Sequence, residues 1–136
     1  MLVVCLFCCS QTFAKEPLPE VLLNAKTAIV KNDGALEKDF AKFYDAMKKW
    51  GRFELVEERS KADIIVWLSA DIKVRNIQIP SVNGSMGIVQ SQNVIVYDIR
   101  ILNEKDETPL WSDSTSVESS DPKRLVANLQ HKMKKQ

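Results

Sequence analysis

Apolar residues fall on both alternating faces of the stretch Ala62 to Ala70, where Ile64, Val66 and Leu68 point one way and Ile65 and Trp67 the other. A strand of that kind is buried on both sides and belongs to a sheet interior. Asn93 to Leu102 is a second strand, with Ile95, Tyr97, Ile99 and Ile101 on one face and Val94, Val96, Asp98, Arg100 and Leu102 on the other. Asn103 to Pro109 turns the chain, and Leu110 to Val117 returns as its antiparallel partner. Upstream, Lys26 to Lys31 reads as the first strand and Phe53 to Glu57 as another. Ser60 is placed to cap a single helical turn through Lys61 to Asp63, which would bring the chain back into the sheet parallel to its neighbours; without that turn an antiparallel pairing is expected. Asp71 to Ile79 continues the alternation with Ile72, Val74, Ile77 and Ile79, until Pro80 to Gly87 breaks it around an Asn83-Gly84 turn.

Two segments switch to helical spacing. Leu36, Phe40, Phe43, Met47 and Trp50 recur every three or four residues, opposite Lys38, Lys42, Asp45 and Lys49. Asp33 is the expected N-cap, early acids and late lysines complement the helix dipole, and Gly51 supplies a left-handed stop. The aromatic face predicts a helix packed on the sheet, not a cofactor box. Asp121-Pro122 opens the last helix, whose stripe is Leu125, Leu129 and Met133 with Val126 beside it. The expected fold is a two-layer α/β sandwich: a mixed five-stranded sheet in the order β-α-β-β-β-β-α, with both helices on one face.

Composition adds a destination. Residues 1–14 form an uncharged apolar segment ending in a polar turn and small residues, the form of a secretory signal peptide cleaved before Lys15. Residues 15–136 then make a single domain. Cys5, Cys8 and Cys9 are the only cysteines among the 136 residues, so the processed chain would have no disulfide, thiolate nucleophile or cysteine metal site. None of the three follows a small residue, which makes lipid anchoring the lesser expectation. The apolar segment is too short for a membrane span, which needs about 20 residues. A formal net charge of +1 without a basic block removes the electrostatic footprint of a nucleic-acid binder.

Candidate chemistry is sparse. His131 stands alone near the end of the last helix, with no second histidine and no Glu-x-x-His spacing, so no metal or other cofactor is expected. Gly84 and Gly87 have the wrong spacing for a dinucleotide fingerprint, and a strand follows them. Asp71, Asp98, Asp113, Glu57 and Glu58 are the carboxylates from which a hydrolytic pair would be drawn. Asp98 and Arg100 share a strand face, and Asp113 reaches Arg100 in one of two registers, so a structural ion pair is the simpler expectation. The serines between Ser112 and Ser120 have no nucleophile-elbow or triad signature.

The stretch Gly51 to Leu68, with its Lys61-Ala62-Asp63 step into a buried strand, lies after a helix and before a meander bearing Leu110-Trp111-Ser112. It resembles small exported α/β domains of the bacterial envelope, among them the N-terminal domain of TolB and the curli-assembly lipoprotein domain. The resemblance spans residues 26–117 and implies a binding or assembly module without catalytic residues. Two functions follow as expectations. The first is a non-enzymatic periplasmic or secreted accessory protein, binding a protein partner or a second copy through the sheet face opposite the helices, at Trp67, Val94, Val96 and Leu102. The second is a small carboxylate- or serine-dependent hydrolase, which requires Asp71, Asp98 and Asp113 to gather at one pocket.

Overall fold

The computed structural model describes residues 17–79 and 87–134. The segment read as a signal peptide, with its three cysteines, and the turn expected between the two long strands lie outside the described residues. The chain runs α1 (Glu20–Asn24), β1 (Thr27–Asp33), α2 (Glu37–Trp50), β2 (Glu54–Leu55), β3 (Ile64–Ile79), β4 (Ile88–Asn103), β5 (Pro109–Ser114) and α3 (Pro122–Lys134). Its five strands form one mixed sheet in the order β2-β1-β3-β4-β5. The first three are parallel, and β4 and β5 follow as an antiparallel meander.

The expected α/β fold is therefore present, with one added element. Helix α1 precedes β1 and buries Leu22, together with Leu18 and Ala25 at its ends, in the helix-side core. Its signal was hidden because the helix has only 5 residues, too few to display a 3.6-residue period. Helices α2 and α3 cover the same face. Phe43, Met47, Leu125, Val126 and Leu129 bury against Ile64, Val66, Leu68, Tyr97, Ile99 and Ile101, while Phe40 and Trp50 flank that core half-buried. The two-residue period of the strands and the 3.6-residue period of the helices thus meet in one layer.

Helix α2 starts differently from the expectation. Leu36 is its N-cap and makes no side-chain capping bond, because Gly34, at φ 96°, and Ala35 separate Asp33 from the first turn. Asn32 sets the approach instead: its Oδ1 accepts from the Ala35 N–H and its Nδ2 donates to the Ala35 carbonyl, both at 2.8 Å. The other end is as expected, with Gly51 at φ 71° in the left-handed region. Asp39 in the first turn is buried and accepts a hydrogen bond from the Tyr97 hydroxyl, tying α2 to β4. Burial, with the Asp39 carboxylate beside it, pushes the Tyr97 phenol well above its ordinary value. Asp121 caps α3 through Oδ1, which accepts from the Lys123 N–H at 3.0 Å.

A 3₁₀ turn at Arg59–Lys61 returns the chain to the sheet, with Glu58 and not Ser60 at its N-cap. Since β2 and β3 lie on opposite sides of β1, this connection crosses the sheet face away from the helices. There Ile29, Ala62 and Ile65 form a small second core, with Val56 and Trp67 packed against it. That face is thus partly covered by the crossover, not bare as two helices alone would leave it. Asp63 pins the crossing by accepting the Lys26 N–H at 2.9 Å and the Thr27 N–H at 3.2 Å. The Lys26 amide, the largest influence, holds the Asp63 carboxyl below the usual carboxylate range.

Candidate binding surface

Strands β3 and β4 each run for 16 residues in one antiparallel register, from Ile64 opposite Asn103 to Ile79 opposite Ile88. Their neighbours are much shorter. β1 pairs with β3 only as far as Asp33 opposite Ser69, and β5 pairs with β4 only between Asp98 and Leu102. Among the described residues, Asp71–Ile79 and Ile88–Val96 therefore project as a two-stranded ribbon, about 30 Å long at the usual rise of a strand.

The two faces of the ribbon differ in chemistry. Ile72, Val74, Val89 and Ile95 continue the helix side of the sheet past the end of the helices, where they are 66 %, 60 %, 62 % and 38 % exposed. Asp71, Lys73 and Arg75 alternate with them on the other face. Single exposed apolar residues are ordinary, but Ile72 and Ile95 lie directly opposite each other with Val74 next along β3, a contiguous cluster of the kind that marks a contact site. Val89 stands further out opposite Gln78, beyond the pair of Asn76 and Ser91.

The four residues expected to bind do share the face opposite the helices, in the parity expected. Their environments differ. Trp67 is half-buried over the second core, with the Lys31 ammonium 5.8 Å from its ring centre. Leu102 lies opposite Ile65 and is half-buried, Val94 lies opposite Lys73 and is half-buried, and Val96 is only 1 % exposed. Ile72 and Val74 were visible in the run to Ile79, but nothing in that run says that the flanking strands stop short. Val89 lay ahead of the expected start of its strand at Asn93, which begins instead at Ile88.

A second concavity lies along the outer edge of β1. β2 supplies only two residues, opposite Thr27 and Ala28, and beyond them a groove of about 640 Å³ runs between Phe40 and Tyr44 of α2 on one side and Ile29, Val56, Glu57 and Trp67 on the other. The carbonyls of Lys26 and Ala28 accept from the Glu54 and Val56 N–H groups. The two-residue period turns the N–H and C=O of Val30 and Asn32 toward the same edge, where no further strand lies among the described residues.

The ionisable side chains are dispersed. Arg100 pairs with Asp33 at 3.6 Å and not with Asp113. Asp113 lies opposite Ile99, hence on the helix side, and accepts a bond of 2.7 Å from Asn128 Nδ2. Asp98 accepts from the Ser114 hydroxyl on the other face, beside Asp71. The gathering of Asp71, Asp98 and Asp113 that a hydrolase would require is absent. His131 is exposed on α3, beside Gln130 and Trp50. Among the described residues, no group of three or more His, Cys, Asp or Glu is placed to hold a metal ion, and no helix is long and apolar enough to cross a membrane.

No family model and no curated protein sequence matches the chain. Among solved structures, it is similar to a PelC dodecamer from Paraburkholderia phytofirmans at 12 % identity, covering 79 % of this chain and 85 % of that one, with a TM-score of 0.44. It is also similar to a putative neuraminyllactose-binding hemagglutinin homolog from Helicobacter pylori at 11 % identity, covering 87 % and 79 %, with a TM-score of 0.38. Neither is a TolB or curli-assembly domain.

Proposed function

We propose that this chain is a non-enzymatic, exported binding or assembly module of the bacterial envelope, and that the β3–β4 ribbon is its main contact surface. The observation that carries the reading is the exposed cluster of Ile72, Val74 and Ile95, with Val89 further out, on an arm that no other element among the described residues covers. Water-exposed aliphatic side chains stabilise no fold; removed from water by a partner, they contribute about 25 cal/mol per Å² before the costs of association. Trp67 and Leu102, diagonal neighbours on the opposite face, would offer a smaller, half-buried second surface, with Val94 standing apart along β4 and Val96 withdrawn by its burial. The signal-like segment 1–14 and the sequence resemblance to envelope assembly domains support export and the accessory role.

A photocrosslinking residue at Val74 or Val89, introduced in the source cell, tests the contact surface. Defined protein adducts are expected from both positions, and none from Lys49 on the exposed side of α2. Absence of ribbon adducts would remove the reading. Mass spectrometry of the cellular protein should find its N-terminus near Lys15, and an intact Met1 in the cytoplasm would refute export.

A further inference from the structure

The ribbon and the β1 groove are two unpartnered features of one chain, and each offers what the other lacks. The groove ends in the backbone groups of Val30 and Asn32, and a row of free amides and carbonyls is matched only by another extended backbone. Its helix side is lined by Phe40 and Tyr44, its opposite side by Trp67 and Glu57. The ribbon is extended, and among the described residues β3 pairs with no strand beyond Ser69 on the side where β1 lay. In one of the two possible strand directions, Ile72 and Val74 meet the aromatic pair, while Lys73 and Arg75 come to the side of Glu57 and Trp67. Apolar then meets apolar, and on the other side Asp71, Lys73 and Arg75 of the ribbon face Glu57 and Lys31 of the groove, the Lys31 ammonium already covering the Trp67 ring.

Resting on the reading of the ribbon as the contact surface, we infer that its occupant is a second copy of this chain, the ribbon of one copy adding as a strand along the open edge of β1 in the other. Reciprocal docking closes a two-fold dimer, and one-way docking continues head to tail. In either case the same residues meet.

Disulfide trapping tests this in the full-length chain with Cys5, Cys8 and Cys9 replaced by serine. Lys73→Cys and Glu57→Cys chains are prepared separately, mixed in equal amounts and mildly oxidised; both positions are exposed, so neither change threatens the fold. The mixed disulfide dimer should exceed both like-with-like dimers. Adding Val74→Glu to the Lys73→Cys chain should lower its yield about tenfold, equivalent to ~1.4 kcal/mol. Dominant pairing of Lys73→Cys chains with each other would overturn the inference in favour of ribbon against ribbon. A chain that stays monomeric by sedimentation and yields no mixed dimer would overturn it too. The ribbon would still be a contact surface in that case if the cellular crosslinks from Val74 lead to a different protein, so the two failures are distinguishable.

Discussion

Strands β3 and β4 are paired without interruption, yet their two halves live in different environments. In the first half, Ile64, Ile65, Val66 and Leu68 are buried on both faces of the sheet. In the second, every described β3 residue from Asp71 to Gln78 is exposed. On the helix side the residue types hardly change as far as Val74, since Ile72 and Val74 are as apolar as Ile64 and Val66, whereas on the other face Ile65 and Trp67 give way to Asp71, Lys73 and Arg75. What changes is the company: β1, β5, the helices and the crossover flank the first half and stop at its end. Burial is thus a property of the neighbours, and the same alternating pattern makes a core in one place and a contact surface in the other.

Substitutions can break that comparison at graded cost. Phe43→Ala, in the core beneath the first half, should destabilise by about 3–5 kcal/mol in chemical denaturation. A loss below about 1 kcal/mol would mean that α2 does not seal the sheet. Tyr97→Phe lies at the boundary and leaves the buried Asp39 carboxylate without its donor, for an expected loss of about 1–3 kcal/mol. An unchanged unfolding midpoint would show that water replaces the hydroxyl.

Asp63→Ala, which frees the Lys26 and Thr27 amides at the start of β1, should cost about 1 kcal/mol at neutral pH. Because Asp63 is held below its ordinary carboxylate value, its stabilisation is present above that value and lost as pH falls through the lowered one. The gap between wild type and variant should therefore close in acid, and a gap independent of pH would remove the charge from the explanation. Smallest in stability is the ribbon: Ile72→Thr with Val74→Thr should stay within about 0.5 kcal/mol of the parent. The same pair should abolish the crosslinked species in cells. Substantial unfolding by this pair would place the ribbon inside the cooperative core and erase the contrast between the halves.

Much of the body was legible along the chain. The double-faced run at Ile64 to Leu68, the aromatic stripe of α2, Gly51 as its stop and Asp121-Pro122 as the start of α3 each follow from local stereochemistry, which a few consecutive residues determine. Misreadings came where distant groups compete. Asn32 took the place of Asp33 at the entry to α2, and Asp33 instead became the partner of Arg100, because the turn at Gly34 aims these side chains and no spacing rule does.

The candidate site divides in the same way. Strand parity put Val94, Val96 and Leu102 on one face of their strand, since a two-residue period leaves no other choice. That Trp67 of β3 shares that face was decided by the register of the pair, which a one-residue slip would reverse. Whether that face was open depended on the crossover through Val56 and Ala62, which is remote in sequence from Val94 and Leu102. The order of side chains along β3 and β4 is thus a property of the sequence by itself. Where the sheet ends is not: that was decided by the tertiary structure, because the seven residues of β1 and the six of β5 stop at Ser69 and Asp98, leaving sixteen-residue strands to project into water.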